Sequence, residues 1–232
     1  MTVGAGHRLI CLACTIMMWC IQASAQGYFL DRTDVTLDYV RTDAESGKFI
    51  WRHTVHVSDI KDCGSYIRYV TESAFSKENG KPLYRSSVFE TTDVDRGTGD
   101  VRMDIGGAMA SYIKARTGLN ATSHAVWSGL KASVEPGDTL PSVRAQAKVG
   151  ILTYSVVISE RIVLWRESIT VPAGTFDCIV ISEKKTENGP GHNRRVTNIT
   201  WYAQGIGYVR HDTYQNGRLD TIEVLTSKTS YN

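Results

Sequence analysis

The stretch VPAGTFDC at residues 171–178 decides the fold class, because it has the form of a strand end, a tight turn and a new strand. Pro172 has no backbone N–H to donate to a sheet ladder, so it marks an exit from a strand. Gly174 permits a sharp reversal, and Phe176 returns an apolar side chain toward the core. This stretch therefore predicts a β-hairpin.

A second stretch, TWYAQGIGYV at residues 200–209, has the same form. Trp201 and Tyr202 are neighbours on one strand and project to opposite faces, and we expect Trp201 to lie in the core. Gly205 and Gly207 leave the backbone room to turn or to approach a neighbouring strand. The segment is not a nucleotide-binding loop, because it lacks a third glycine and a following helix.

Alternation of apolar and polar residues extends over most of the chain and predicts antiparallel strands. The predicted strands are 49–58, 66–70, 83–90, 101–105, 156–165, 178–182, 196–202, 208–214 and 219–225. Asn-Gly pairs at 79–80, 188–189 and 216–217 predict tight turns, and the last lies between two short alternating runs. The fold class is mainly β: a single curved antiparallel sheet, as a half-barrel or barrel.

One segment, 106–116, departs from this period and predicts a short helix. Met109, Tyr112 and Ile113 recur at a spacing of three to four residues. A helix this short cannot cover a sheet of many strands, so we expect these three residues to face a cavity and contact an apolar ligand. The alternative is that the stripe only packs into the core, which is the usual role of such a stripe.

The N-terminus predicts an export signal at residues 1–25 and one β domain at 26–232. The apolar run 9–21 is shorter than the roughly 20 residues that span a bilayer, and Ala23-Ser24-Ala25 fits signal-peptidase cleavage after Ala25. A membrane anchor, or a lipid anchor on Cys14 or Cys20, is the alternative. Pro136-Gly137-Asp138 could mark a domain boundary, but its flanks do not resemble a linker, so we expect one continuous sheet.

Composition excludes several partner classes. The chain has 26 Lys and Arg against 24 Asp and Glu, a net charge of +2. This near-neutral balance argues against a nucleic-acid partner and offers no electrostatic case for an anionic membrane surface. After signal cleavage no apolar run is long enough to span a membrane. We expect an exported protein of the periplasm or outer cell envelope, whose oligomeric state stays open.

The cysteines and carboxylates suggest no metal or cofactor. Outside the predicted signal, only Cys63 and Cys178 remain, either as one disulfide or as two buried thiols. The histidines are scattered, so no metal site is predicted. Asp93 and Asp95 share a strand face, which leaves a weak alternative of a calcium site beside a glycine-rich turn.

These motifs resemble a known family. The VPAGTFDC strand end, the WYAxGxGxV strand and the xNGxL hairpin at 215–219, with PGDTLP at 136–141 upstream, resemble exported bacterial proteins known as TapB-like or as domains of unknown function. The match covers roughly residues 130–226. Such proteins look like relatives of the LolA- and LppX-type lipoprotein-carrier fold. The resemblance implies a curved sheet and an envelope location, and it implies no activity and no site residues.

The leading hypothesis is a non-enzymatic envelope protein that binds a hydrophobic or amphipathic ligand in the curved sheet. One alternative is a structural or protein-interaction module of the envelope. The third is an unrecognised hydrolase-type enzyme, although no residue triad is evident: His211 and Asp212 are adjacent on a strand and face opposite sides.

Overall fold

A computed structural model describes residues 26–231, which form one antiparallel 14-stranded sheet and one helix. The predicted signal peptide at 1–25 lies outside the described residues. The prediction of a mainly β protein with a single curved antiparallel sheet and a short helix is confirmed. The sheet continues on both sides of Pro136, as the flanking sequence indicated.

The first half of the chain contains seven strands and the helix. They are β1 (Val35–Asp43), β2 (Phe49–Asp62), β3 (Tyr66–Ser76), β4 (Val88–Asp95), β5 (Val101–Asp104), α1 (Ile105–Thr117), β6 (Thr122–Ser123) and β7 (Trp127–Leu130). The second half contains β8 (Thr139–Leu140), β9 (Val143–Val149), β10 (Leu152–Val171), β11 (Gly174–Gly189), β12 (His192–Ala203), β13 (Gly207–Gln215) and β14 (Arg218–Ser230).

The sheet curls but does not close into a barrel. Its order runs β6-β9-β10-β11-β12-β13-β14-β1-β2-β3-β4-β5-β7, with β8 paired to β10. Helix α1 contacts β4 and β7 from one end of this order and β6 and β9 from the other. The helix therefore sits at the gap between the two ends of the sheet.

The β10–β11 hairpin closes one end of this half-barrel. Strand β10 bends near Glu160, where φ is 48° and the register with β11 shifts. The bend carries the turn at 172–173 inward, so that the amide of Ala173 lies 3.4 Å from the carbonyl of Leu225 on β14. We call this the lower end. The turns at 44–48, 150–151 and 216–217 lie at the opposite, upper end.

Apolar residues fill the lower end. Tyr28, Phe29 and Leu30 of the N-terminal segment are buried, and Gly205 donates its amide to the carbonyl of Gly27 at 2.8 Å. The main core cluster combines this segment with residues of nine strands: Val35, Leu37, Tyr39, Val57, Tyr69, Val101, Val171, Cys178, Val180, Trp201, Ala203, Val209 and Leu225. The hairpin predicted from 171–178 and the N-terminal segment thus fill the lower end of the half-barrel together.

Three local expectations need correction. Residues 83–87 form a loop and the strand starts only at Val88, because Pro82 and the loop backbone are held against Ser76 and the end of α1. The turn expected at Asn188-Gly189 lies two residues later, since Gly191 has φ 68° and Gly189 still pairs with His192. Strands β1 and β9 were not predicted.

Other local expectations hold. Asn216 and Gly217 have φ of 51° and 77°, which gives the tight β13–β14 turn that an Asn-Gly pair predicts. The helix predicted at 106–116 spans Ile105–Thr117 and ends on Gly118, whose φ is 79°. Within residues 26–231, no helix is long and apolar enough to cross a bilayer.

Candidate functional site

The inner face of the curled sheet becomes polar toward the upper end. On β1, Leu37 and Tyr39 belong to the apolar core, whereas Arg41, the next residue on the same face, is paired in register with Glu223 of β14. Residues two apart on a strand share a face, so this change follows directly from the sequence. A charged pair therefore stands just above the core.

Arg41 and Glu223 are held by their neighbours. Arg41 Nη1 lies 3.8 Å from Glu223 Oε2, and Arg41 donates from Nε to Thr221 Oγ1 at 2.9 Å and from Nη2 to Thr213 Oγ1 at 2.6 Å. Trp51 donates its indole N–H to Glu223 Oε1 at 3.0 Å, and the Arg41 guanidinium lies 4.8 Å from the centroid of the Trp51 ring. Arg41 is therefore fixed by contacts on three other strands, and Glu223 by contacts on two.

Burial governs the ionisation of this pair. Desolvation raises the pKa of the Glu223 carboxyl, while the nearby Arg41 charge and the bond from Trp51 act in the opposite direction. The ionised form therefore depends on its two partners. Removal of either one would leave a buried carboxylate insufficiently paired.

His53 lies beside Glu223 and has an unused ring nitrogen. Its Nδ1 is 3.1 Å from the Tyr208 hydroxyl and 3.8 Å from Glu223 Oε1, while its buried Nε2 has no hydrogen-bond partner. Burial, reinforced by the Arg41 charge, lowers the pKa of His53 to about 3. A neutral imidazole with one unpaired nitrogen can form one further hydrogen bond, as donor or acceptor according to its tautomer.

We call Arg41, Trp51, His53, Tyr208 and Glu223 the inner polar cluster. A second histidine continues it: His211 Nδ1 lies 2.8 Å from Thr200 Oγ1, and burial lowers the pKa of His211 to about 3. His211 and Asp212 do not form part of a hydrolase triad. Asp212 lies on the other face of the strand and accepts hydrogen bonds from Arg210 at 2.8 Å. The prediction that the protein is not an enzyme stays a prediction.

A row of aromatic rings runs from the inner polar cluster to the helix. Consecutive centroids are 4.4 Å apart from Tyr208 to Tyr39, 5.6 Å from Tyr39 to His53, and 4.3 Å from His53 to Phe75. The row continues over 4.8 Å from Phe75 to Tyr84 and 5.5 Å from Tyr84 to Tyr112 on α1. We call these six rings the aromatic row.

The structure places the three predicted ligand-contact residues in different surroundings. Met109 packs against an apolar cluster formed by β9 and β10, and Ile113 is buried. Tyr112 is 38% exposed, and its hydroxyl lies 3.1 Å from the Tyr84 hydroxyl. Of the three, only Tyr112 joins the aromatic row, and the ligand contacts of all three stay a prediction.

The residues of the two turn motifs pack into the core or form tight turns. Trp201 is buried and donates to Glu167, Tyr202 is half-buried, and Phe176 packs against the main core. Pro172 is exposed at the hairpin tip. Gly174, Gly205 and Gly207 all have positive φ, of 137°, 68° and 96°, which an L side chain rarely adopts.

Cys63 and Cys178 are both free thiols, so the disulfide considered from the sequence is not formed in this structure. Cys63 follows β2 in the turn to β3, whereas Cys178 is buried in the main core on β11. The Cys178 thiol donates to the Phe176 carbonyl at 3.5 Å, and burial raises its pKa to about 12. This thiol is packed as a small apolar group.

The two aspartates considered for calcium have other partners. The buried Asp93 accepts hydrogen bonds from Arg68 and Arg102, with the closest contacts at 2.7 Å and 2.9 Å. Asp95 caps its own turn by accepting from the amides of Gly97 and Thr98. Among residues 26–231, no group of three or more His, Cys, Asp and Glu side chains could hold a metal ion.

The sequence analysis did not identify the inner polar cluster. Trp51 and His53 lie two residues apart on the predicted strand 49–58 and so share a face, but Arg41, Tyr208 and Glu223 come from other strands. Arg41 and Glu223 could have been identified as charged residues at positions where strand alternation predicts that the side chain faces inward.

Two solved structures of other proteins have a similar fold. A candidate exported protein with a YmcC-like fold from Bacteroides fragilis is 19% identical, with a TM-score of 0.71 over 88% of this chain and 100% of that one. A candidate lipoprotein from Parabacteroides distasonis is 17% identical, with a TM-score of 0.71 over 88% of this chain and 99% of that one. These similarities show the fold, and the relation to LolA- and LppX-type carriers stays a prediction.

No curated protein matches the sequence. A family model described as DUF3108-like matches residues 39–225, which run from Tyr39 in the core to Leu225 on β14. The matched region includes the aromatic row and the inner polar cluster. The chain belongs to the DUF3108-like family.

Proposed function

We propose that this protein is a non-enzymatic component of the bacterial cell envelope that binds an amphipathic molecule against the inner face of its curved sheet. One observation carries the proposal: the aromatic row lies beside the inner polar cluster on a single face. Sites for small molecules commonly combine aromatic surface with a few fixed polar groups that orient the ligand.

The proposed ligand position follows from the apolar and polar groups along the inner face of the sheet. Phe75 and Tyr84 are half-buried, so their rings keep surface that an apolar chain or ring can cover. His53 Nε2 is a buried atom without a hydrogen-bond partner at the inner end of this surface, and a ligand would reach it by displacing the side chains that cover it. The apolar part of the ligand would lie along Phe75, Tyr84 and Tyr112, and a polar group would meet His53.

Indications of an envelope location support this proposal. The predicted signal at residues 1–25 indicates export, and the two structural relatives carry the names of an exported protein and a lipoprotein. The buried histidines and the paired carboxylate point to a rigid binding face rather than to proton transfer, since a general base is most effective with a pKa near the working pH.

A neutral fluorescent dye tests the proposal. Chain beginning at Gln26 is titrated with N-phenyl-1-naphthylamine, and a lysophospholipid is then added as competitor. We expect saturable fluorescence enhancement that the competitor reverses. Phe75→Ala should weaken dye binding about ten-fold, which corresponds to about 1.4 kcal/mol.

Phe89→Ala is the matched control. Phe89 is an exposed phenylalanine on β4 whose register partner is Glu72, on the face opposite to Phe75. Its removal should leave dye binding unchanged. Absence of dye uptake by the folded wild-type protein, or equal losses in both variants, would refute an inner-face ligand site and favour the interaction-module alternative.

A further inference from the structure

Three exposed apolar side chains lie together at the upper end of the molecule. Ile151 forms the tip of the β9–β10 turn and is 99% exposed, Leu152 follows at 41%, and Leu119 after the end of α1 is 56% exposed. A tight turn usually carries polar residues or glycine, and here Gly150 adopts the positive φ of 57° while isoleucine takes the other position. We call Leu119, Ile151 and Leu152 the apolar tip.

Backbone contacts hold the segments that carry the apolar tip beside each other. Thr122, which follows Leu119, pairs with Lys148 just before the β9–β10 turn. The C-terminal turn of α1 is fixed in turn by the amide of Arg85, which donates to the carbonyl of Ala115 at 2.8 Å. Three connections of the chain therefore meet at one corner of the upper end.

Basic side chains are common on the segments that adjoin the apolar tip. Exposed lysines and arginines come from all three connections: Lys77, Lys81, Arg85, Lys114, Arg116 and Lys148. Glu78 is the acidic residue on the same β3–β4 loop. The lower end is mixed in charge, since the exposed Asp59, Asp62, Glu167 and Asp177 lie among the exposed Lys61, Arg96 and Arg166. The near-neutral net charge of +2 therefore conceals a local group of basic residues at the upper end.

We propose that the apolar tip and its basic surround dock the protein on an anionic lipid surface. Each basic residue close to such a surface contributes about 1 kcal/mol, and apolar side chains add to this by insertion at the headgroup boundary. The near-neutral composition gave no electrostatic reason to expect such a contact, and the proposal rests instead on the local arrangement of charges.

A lipid surface fits this corner better than a protein partner does. The apolar residues project from a turn and from a helix end, and lysine dominates their surroundings. Lysine is depleted at protein–protein interfaces, where aromatic residues and arginine are enriched on a packed patch. A bilayer requires only that protruding apolar side chains lie among positive charges.

Vesicle flotation tests the proposal directly. Chain beginning at Gln26 is mixed with vesicles of phosphatidylcholine alone, or with one quarter phosphatidylglycerol, at low and high salt. We expect flotation with the anionic vesicles and much weaker flotation with neutral vesicles or at high salt. Lys148→Gln should weaken anionic-vesicle binding about five-fold, since one basic residue contributes about 1 kcal/mol.

Ile151→Ser should weaken binding further, and its full exposure means that the substitution leaves the core intact. Ile60→Ser and Lys61→Gln are the matched controls, because both residues are exposed on β2 near its lower end. Equal binding to neutral and anionic vesicles, no binding at all, or equal losses in the lower-end controls would overturn the proposal. Phe75→Ala should leave vesicle binding unchanged, which separates this surface from the inner-face ligand site.

Discussion

The indole of Trp201 donates to Oε1 of Glu167 at 2.6 Å, which joins β12 to the bent strand β10. Trp165 donates to the same oxygen at 2.8 Å, and both bonds lower the pKa of the Glu167 carboxyl. The Arg210 guanidinium lies 4.8 Å from the centroid of the Trp201 ring. The two tryptophans share an acceptor but differ in burial, since Trp201 is buried and Trp165 is 43% exposed.

Trp201→Ala should therefore destabilise the fold strongly. We expect a loss of about 3–5 kcal/mol in the free energy of unfolding, the usual range for deletion of a buried aromatic side chain. Trp165→Ala removes the exposed partner of the same carboxylate and should lose less than about 1 kcal/mol. Urea unfolding of both variants measures the difference, and similar losses would show that the shared bond, rather than burial, dominates.

The buried histidines should make the protein sensitive to acid. The pKa values of His53 and His211 are about 3 in the folded state, against an ordinary value of 6.5. Below pH 6.5 the unfolded chain binds protons that the folded chain does not, so stability falls as the pH decreases from 6.5 toward 3. Each histidine contributes up to about 1.4 kcal/mol per pH unit.

Unfolding of His53→Gln across pH 7 to 4 isolates this contribution. Glu223 and Glu90 have raised pKa values and act in the opposite direction, so the comparison with wild type is essential. The advantage of wild type over His53→Gln should shrink as the pH decreases. A difference that stays constant over this range would mean that His53 takes up protons as readily in the folded protein as in the unfolded chain.

Gly106 should be intolerant of any side chain. A Cβ at this position in α1 would overlap the carbonyl oxygen of His124, which belongs to the segment between β6 and β7. Gly106→Ala should cost about 1–3 kcal/mol through overpacking, although alanine is the better helix former. At the exposed Gly107, the Cβ would meet only the Asp104 side chain, at 2.6 Å.

Gly107→Ala is therefore the control, with an expected change between neutral and about 1 kcal/mol of stabilisation. Thermal unfolding of both variants provides the comparison. If Gly106→Ala were as stable as Gly107→Ala, the helix could move away from His124, and its fixed position at the gap of the sheet would be wrong.

Thiol titration should find two free thiols in protein that begins at Gln26. In the native protein, Cys178 should resist modification at pH 8, because it is buried and its pKa is raised to about 12. Denaturation without reductant should expose both Cys63 and Cys178. No reactive thiol after denaturation would restore the disulfide hypothesis.

The N-terminus of exported protein should be Gln26, as Ala23-Ser24-Ala25 indicates. Peptide sequencing of material isolated from the envelope checks this. Gly27, the next residue, accepts a hydrogen bond from the amide of Gly205 and so belongs to the folded domain. A mature form that starts at a lipidated Cys14 or Cys20 would refute the prediction.

Local sequence determined the β architecture of this protein. Period-two alternation and the Asn216-Gly217 pair act within a few residues, so the strands and this hairpin turn followed without tertiary information. The spacing of Met109, Tyr112 and Ile113 likewise indicated the helix. Strand β1 was missed, although its residues alternate between buried and half-buried positions at its start.

Only the tertiary structure decided the candidate sites. Arg41 and Glu223 meet because β14 pairs with β1, a pairing between opposite ends of the chain that no local pattern specifies. The basic residues around Ile151 come from three separate connections that antiparallel pairing brings to one corner. Composition sums charges over the whole chain and loses their positions, whereas ligand binding and membrane docking depend on which side chains the curled sheet brings together.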